Sequence, residues 1–462
     1  MRAMTRTWAA AAAAALLAGC SLIPAYERPA APVPATIPYP AASEGTAAPV
    51  LEWQRFFADE RLRNLIGTAL VNNRDLRVAM LNVQQARAQY DIRRADRYPN
   101  LGASLSASRA PSPISGDQLT TYQVGLAVTA WELDFFGRIG SLSEAALAQF
   151  FATEEGSRAA QVTLVGSVAA TWLSLVADEE LLALTQQTLA TREETLRLTR
   201  LRFDNGVSSE LDLRLAQSLA ETARAAFAQQ QRQRALDLNA LGLLLGEALP
   251  TSFSTGTTLA TTTFADLPAG VPSEVLVQRP DVRQAEQQLI AANASIGAAR
   301  AAFFPRISLT ASAGRASTEL SGLFDGGGKW AYTIAPSLLL PIFDAGRNRA
   351  NLEAANVQRE IAVAQYERAI QSAFREVSDA LAGRTLLTEQ LEAQARVAEA
   401  ESVRVRLSQL RYDAGVASTL DLLDAQRSLF TARQSEIQTR LARLQNQVLL
   451  YRTLGGGWTR QP

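Results

Sequence analysis

The sequence has no histidine and a single cysteine, Cys20, among its 462 residues. These shortages exclude a zinc site of Cys/His type, a Ser–His–Asp or Cys–His triad and an internal disulfide framework. Lysine is nearly absent as well, since Lys329 is the only one. Acidic and basic residues balance at 45 each, which argues against a general nucleic-acid-binding protein. A mean hydropathy near zero argues against a polytopic helical membrane protein.

The N-terminus has the pattern of a bacterial lipoprotein signal. Arg2 and Arg6 supply positive charge, and the apolar run Trp8–Ala18 is too short to span a bilayer. The run ends in Leu-Ala-Gly-Cys, which resembles a lipobox, where cleavage precedes a cysteine that is then lipidated. We therefore predict a signal peptide over residues 1–19 and no cofactor apart from a covalent lipid on Cys20. The alternative is an ordinary signal peptide with a chance cysteine.

A leader rich in proline and alanine follows over residues 20–58. Proline fixes φ and lacks an N–H donor, so the leader is expected to be extended. It could be a spacer from the lipid or a strap along the body of the protein. Its prolines are Pro24, Pro29, Pro32, Pro34, Pro38, Pro40 and Pro49.

The rest of the chain consists of one sequence unit that occurs twice. The segment Leu201–Val207 recurs as Leu410–Val416, an offset of 410 − 201 = 209 residues, and other blocks repeat in the same order. A period this long indicates a duplicated domain rather than a solenoid. The predicted parts are a first repeat at 59–246, a connecting segment at 247–272, a second repeat at 273–455 and a tail at 456–462.

Each repeat contains two stretches in which larger apolar residues alternate with small or polar ones. They are Leu101–Ser108 and Thr121–Trp131 in the first repeat, and Ile307–Gly314 and Trp330–Leu338 in the second. A period of two places each set on its own face, and about ten residues suffice for a tilted membrane-spanning strand. Four strands cannot close a useful barrel, whereas an oligomer could. The alternative is a soluble sandwich.

Very long helices are predicted after the strands. From about Arg138 to Phe203 there is no proline, and an unbroken helix of this extent would be about 100 Å long. A seven-residue apolar series indicates coiled-coil packing, and its members are Leu182, Leu189, Leu196 and Phe203.

Two turns interrupt the helices. Gly206 and Gly415 permit positive φ, and Ser209 and Ser418 are suited to capping the helices that follow. Each repeat is therefore predicted to contain, in order, a helix, two strands, a very long helix, a turn and a helix.

These features together resemble the TolC/OprM-type outer-membrane efflux proteins, in particular their lipidated, RND-associated, NodT-like branch. The resemblance covers residues 20–458 and includes the lipobox, Tyr26-Glu27-Arg28-Pro29, the Trp53–Asp59 block, the duplicated strand pairs and the two Gly-Val turns. It implies an α+β membrane protein that is internally duplicated. Four strands from each of three chains would form a twelve-stranded outer-membrane β-barrel, continued by a long periplasmic α-helical barrel.

The resemblance also implies partners. The homotrimer would be a passive exit duct for small molecules such as drugs, held in outer-membrane lipid with a large periplasmic portion. A periplasmic adaptor, or membrane fusion protein, would open its tip and connect it to an inner-membrane RND-type pump. The predicted adaptor-docking residues are Gly206, Val207, Ser209, Gly415, Val416 and Ser418.

A gate is implied near the second turn. Asp421 and Asp424 are three residues apart and share a helix face, and family members have carboxylates at matching positions that narrow the closed entrance. In a ring, such carboxylates would raise each other's pKa and attract cations. Tyr412 fits the family's gate tyrosine, whereas Ala417 stands where an arginine can occur. The alternative is the preference of aspartate for a helix N-terminus.

Two other functions compete with a channel. A structural coiled-coil envelope lipoprotein would share the lipobox and the long helices, but it would not need four alternating strands. An enzyme is disfavoured because the chain lacks histidine and has no convergent acid pair outside the turn.

Overall fold

The computed structural model describes residues 21–38, 52–111, 116, 118–265, 267 and 273–456. Cys20, the predicted signal peptide and the last six residues lie outside this part. The described residues form eight α-helices and four β-strands, besides two short 3₁₀ helices. In chain order they are α1 (Trp53–Phe56), α2 (Glu60–Asn72), α3 (Arg74–Ala95), β1 (Leu101–Pro111), β2 (Gln118–Leu133), α4 (Arg138–Asp204), α5 (Glu210–Leu245), α6 (Pro280–Ala301), β3 (Arg306–Ser317), β4 (Lys329–Leu339), α7 (Arg347–Asp413) and α8 (Thr419–Thr453).

The predicted order of elements in each repeat is confirmed, with longer strands than expected. The four strands form one antiparallel sheet in the order β1-β2-β3-β4, so each repeat contributes a hairpin and β2 pairs with β3. The alternation missed a bulge between Val128 and Trp131, where Ala130 has a φ of 49°. The bulge keeps Trp131 opposite Leu309, so the apolar residues of β2 stay on one face.

Two glycines allow the central strands to approach closely. Gly125 on β2 lies directly opposite Gly314 on β3, on the face of small residues. A Cβ atom on either glycine would overlap backbone atoms of the other strand. The central pair therefore requires glycine at both positions.

The described chain divides into two compact units that each draw on both sequence repeats. One unit comprises the described parts of 21–30, 81–154 and 283–368, and it contains the sheet. The other contains the described parts of 31–80, 155–282 and 369–456. The two sequence repeats are therefore not separate compact bodies.

In the unit that contains the sheet, the leader lies along α6 as a strap. The Arg300 guanidinium donates to the Leu22 carbonyl at 3.3 Å, and the Asn293 amide donates to the Pro24 carbonyl at 2.8 Å. Farther along, Arg28 donates to the Glu286 carboxylate at 2.6 Å. Of the two interpretations left open by the sequence, these contacts support a strap over residues 22–28.

The same unit explains why an aspartate precedes each long helix. Asp134 accepts hydrogen bonds from the Ile139 and Gly140 amides at 3.0 and 2.6 Å. Asp344 likewise accepts from the Gly346 and Asn348 amides at 3.0 and 2.9 Å. These carboxylates satisfy N–H groups that have no partner within the helix.

The other unit has a core of aromatic rings and buried helix faces. The Phe56 and Tyr451 rings stack with centroids 4.0 Å apart, and Trp53, Phe56 and Phe57 are all buried. One described helix, α4, is long and apolar enough to cross a bilayer. However, Val168 and Trp172 within it are fully buried in this unit, as expected for a core helix.

A buried acid lies between α4 and α5 in this unit. Asp178 is 5% exposed and accepts a hydrogen bond of 2.8 Å from the Gln230 amide. Burial, together with the nearby Asp237 carboxyl, raises the pKa of Asp178 to about 7. Asp178 is therefore partly protonated near neutral pH.

Candidate functional site

The first turn, between α4 and α5, is built by a glycine and a serine. Gly206 has a φ of 71°, and the Val207 amide donates to the Arg202 carbonyl at 2.8 Å. The Ser209 hydroxyl accepts from the Asp212 amide at 3.1 Å while the Asp212 carboxylate accepts from the Ser209 amide at 3.3 Å. This reciprocal pair is a capping box, and it confirms the predicted conformations of Gly206 and Ser209.

The second turn, between α7 and α8, repeats this construction. Gly415 has a φ of 74°, and the Val416 amide donates to the Arg411 carbonyl at 3.0 Å. Ser418 and Asp421 form the matching capping box, with both amide bonds at 3.1 Å. The duplicated sequence therefore encodes two copies of one local structure.

Both turns expose the same apolar side chains to solvent. Val207 is 73% exposed and Val416 is 64% exposed, while Leu211 and Leu420 are exposed beside them. Single exposed apolar side chains are common on protein surfaces. Their recurrence at equivalent positions of both turns is informative, because the local fold does not require apolar side chains at these positions.

The two predicted gate acids differ in their surroundings. The Asp421 carboxylate accepts from the Ser418 hydroxyl at 2.8 Å and from the Ser418 amide, and these bonds lower the pKa of Asp421. Asp212 has the same arrangement in the first repeat. Helix capping therefore accounts for the presence of Asp421.

Asp424 has no such role in capping and lies between two arginines. Arg404 on α7 donates to one carboxylate oxygen at 2.6 Å, and Arg427 on α8 donates to the other at 2.7 Å. Arg404 first, and then Arg427, lower the pKa of Asp424. Within one chain the pKa of Asp424 is therefore lowered, whereas we expected Asp421 and Asp424 to raise each other's pKa. The sequence alone does not show that Arg404 and Arg427 lie beside Asp424.

Tyr412 contacts an arginine of the other hairpin. The Arg202 guanidinium donates a hydrogen bond to the Tyr412 hydroxyl and lies 5.3 Å from the ring centroid. At the second turn itself Ala417 supplies no guanidinium, and the one that contacts Tyr412 comes from the first hairpin. The sequence signal for this contact was the repeat pair Phe203 and Tyr412, of which only Tyr412 has a hydroxyl.

Arg192 is a functional candidate that sequence reasoning missed. It is 5% exposed, and burial lowers its pKa. It donates to the Gln426 side chain at 2.9 Å and to the Leu423 carbonyl at 3.4 Å, and no carboxylate of the described residues pairs with it. Cavities of about 260 and 110 Å³ adjoin it, lined in part by Phe430. A buried guanidinium without a counter-ion is costly, so this packing is comparatively weak.

The buried stripe of α4 at this level is also not the predicted one. Leu182, Leu189 and Leu196 are only half-buried. The buried series with the same period of seven is Thr185, Arg192 and Thr199. The heptad pattern thus indicated the periodicity correctly but not the face that is buried within one chain.

A sheet with an exposed apolar face, together with two long helical hairpins, defines the class of outer-membrane channel subunits. The chain belongs to the outer membrane efflux protein family, which matches residues 65–247 and 271–456. The family resemblance drawn from the motifs is therefore confirmed.

Relatives agree over nearly the whole length. The solvent efflux pump outer membrane protein SrpC of Pseudomonas putida is 47% identical, covering 96% of this chain and 97% of the relative. Outer membrane protein OprJ of Pseudomonas aeruginosa is 45% identical, covering 96% and 94%. The open state of the Neisseria gonorrhoeae MtrE outer membrane channel has a TM-score of 0.86 and 41% identity, covering 95% and 98%.

The predicted fold, function and location are confirmed by these comparisons. The protein is the outer-membrane channel component of an efflux system of a Gram-negative bacterium, with a periplasmic portion. It is a passive channel and not an enzyme. The two competing functions, a structural lipoprotein without channel activity and an enzyme, do not fit this family.

Proposed function

We propose that the protein acts as a homotrimeric exit duct for small molecules such as drugs, opened at its periplasmic tip by an adaptor that connects it to an inner-membrane RND-type pump. The observation that carries the proposal is how the two hairpins are joined near their turns. Near the turns, side-chain hydrogen bonds among the described residues join the hairpins around two arginines, Arg202 with Tyr412 and Arg192 with Gln426. Few such contacts need to break for one hairpin to shift past the other.

Each hairpin is held together internally by ion pairs. Arg224 bonds Glu193 at 2.6 Å between α5 and α4, and Arg404 bonds Asp424 at 2.6 Å between α7 and α8. These pairs favour movement of each hairpin as a unit. Opening would then shift a closed–open equilibrium that the adaptor biases by binding the open state better.

The trimer is supported by the sheet edges. Among the described strands, β1 and β4 each have one edge without a partner strand. An unsatisfied edge is unfavourable in hydrocarbon, where no water replaces the missing partner. Pairing β4 of one copy with β1 of the next would satisfy both edges and close a twelve-stranded barrel.

The adaptor surface is supported by the exposed valines and leucines of the two turns. Because Val207 and Val416 occupy equivalent positions, an adaptor could use one kind of contact at both turns of each chain. Apolar contacts of this type are suited to a reversible interface with a helical partner.

Lipidation of Cys20 is supported by the strap. Leu22, two residues after Cys20, is bound by Arg300 near the end of α6, and β3 begins at Arg306. An acyl chain on Cys20 would therefore start near the periplasmic end of the sheet.

Single-channel recording in planar bilayers tests the duct and its gate. The double variant Asp421→Ala with Asp424→Ala should raise conductance and weaken cation selectivity, since it removes carboxylates from the proposed entrance. The control is Asp212→Ala, which removes the matching capping carboxylate of the first repeat and should leave both properties unchanged. Conductance and selectivity that stay at wild-type values in the double variant would refute the gate, and a folded trimer without conductance would refute the duct.

A further inference from the structure

One face of the sheet is apolar and open. The strand register places large apolar side chains on it, each more than half exposed. They include Leu101, Leu105, Leu126, Tyr332, Ile334 and Leu338. In an outer-membrane barrel such a face contacts hydrocarbon, so we call it the lipid face.

Two arginines interrupt the lipid face. Arg109 continues the alternation of Leu101 and Leu105 on β1. Arg315 on β3 lies directly opposite Val124 on one side and Trp330 on the other, which places it on the same face. Arg109 and Arg315 are the only charged residues that the described strands place there. They occupy equivalent positions in the two repeats, at an offset of 315 − 109 = 206 residues.

The position along the strands puts both arginines near the outer boundary of the hydrocarbon. Arg109 is eight residues beyond Leu101, and Arg315 is nine beyond Arg306, where β1 and β3 begin after helices. At about 3.3 Å per residue and a tilt of about 40°, these paths rise about 20 and 23 Å. The apolar band of such barrels is about 25 Å tall.

Aromatic side chains mark the same level. Trp330 lies opposite Arg315, and Tyr122 lies opposite Ala107, two residues before Arg109. Aromatic girdles of this kind occur where hydrocarbon meets the headgroups. Neither Arg109 nor Arg315 has an ion-pair partner among the residues that the structure describes.

We propose that Arg109 and Arg315 bind phosphate groups of the phosphorylated glycolipid, lipopolysaccharide, that forms the outer leaflet. A guanidinium binds phosphate through two parallel hydrogen bonds, and its contacts strengthen where water is scarce. The two arginines are two strands apart, about 10 Å, and are further offset by four residues along β2, about 13 Å. Each therefore holds a separate phosphate, and the apolar residues below it contact the acyl chains.

Titration of purified, delipidated channel with lipid A, followed by native mass spectrometry, tests the site. Arg109→Gln with Arg315→Gln should weaken lipid A binding about tenfold to a hundredfold, the factor for lost hydrogen bonds to a charged group. Arg109→Lys with Arg315→Lys keeps both positive charges but not the paired hydrogen bonds, so it should bind lipid A less tightly than wild type and more tightly than the glutamine variant. The matched control is Lys329→Gln, which removes a positive charge at the same end of the sheet but from the opposite face, and it should bind as wild type does.

Two further ligands separate the possible sources of binding. Dephosphorylated lipid A should bind wild type as weakly as lipid A binds the glutamine variant, and inorganic phosphate should not displace lipid A. Equal binding of the dephosphorylated lipid, displacement by phosphate, or equal weakening by Lys329→Gln would each overturn the proposal. If the glutamine variant does not fold, comparing the binding of lipid A and dephosphorylated lipid A to the wild-type protein still tests the proposal.

Discussion

Arg202 on α4 donates a hydrogen bond to the hydroxyl of Tyr412 on α7, and its guanidinium also lies against the tyrosine ring. The residue equivalent to Tyr412 in the first repeat is Phe203, which has no hydroxyl. The duplication therefore produced two similar turns. The Tyr412 hydroxyl, which has no equivalent in the first repeat, supplies a contact between the hairpins.

Removing that hydroxyl should favour the open tip. Tyr412→Phe keeps the ring but loses one hydrogen bond worth about 1 kcal/mol, which corresponds to about a fivefold change in a closed–open equilibrium. Open probability in planar bilayers measures the effect. Phe203→Tyr adds a hydroxyl at the equivalent position and serves as the control. An open probability that does not change in Tyr412→Phe would contradict a closing role for this contact.

Replacing the buried Arg192 should change how often the channel opens while leaving the free energy of unfolding nearly unchanged. Arg192→Met preserves apolar volume and removes a guanidinium that lacks a carboxylate, so we expect unfolding free energy within about 1 kcal/mol of wild type, or higher. The bonds to Gln426 and Leu423 are lost, so channel opening should become more frequent. Denaturant unfolding and bilayer recording measure the two effects. A strongly destabilised variant with unchanged opening would show that Arg192 is only structural.

Charging the exposed valines should uncouple the channel from its adaptor. Val207→Asp with Val416→Asp introduces charge into the proposed apolar contact, and drug resistance of cells expressing the complete efflux system should fall. Conductance of the purified variant should persist, because both side chains are exposed. Val207→Leu with Val416→Leu retains apolar contact and should support export. Normal resistance in the aspartate variant would exclude these valines from the interface.

The buried acid Asp178 should make stability depend on pH. Its pKa of about 7 lies above the value near 4 of an unfolded aspartate, so its stabilising contribution is complete below about pH 4 and is lost as pH rises toward 7. Asp178→Asn is neutral throughout, so its melting temperature should exceed that of wild type more at pH 8 than at pH 5. Asp237→Asn, which removes the facing carboxyl, should reduce the pH dependence. A difference that stays constant with pH would contradict the raised pKa.

Cys20 should be the only lipidated residue. Cells labelled with a palmitate analogue should label the wild-type protein, and Cys20→Ser should abolish the label, because no other cysteine is present. Cys20→Ala is a second variant that excludes acylation of the introduced serine. Label that persists in both variants would place the lipid elsewhere.

Features that depend on near neighbours were readable from the sequence. The strands follow from alternation, and both turns follow from a glycine and a serine that act within about five residues of themselves. Gly206 and Gly415 adopt positive φ and Ser209 and Ser418 form capping boxes, as predicted. The repeat, the order of elements and the family were determined by such local patterns.

The chemistry near the turns was decided by tertiary structure. Asp424 receives its counter-ion from Arg404, twenty residues away, and Tyr412 is bound by Arg202 at a separation of 210 residues. From the sequence alone, Arg192 would be placed on the solvent-exposed face of a helix. In the structure, packing against α8 buries it. Periodicity states which residues share a face, but only the packed helices determine which face is buried and which charges meet. The sequence therefore specified a duplicated channel subunit, while the fold determined where its acids are neutralised and how its hairpins are joined.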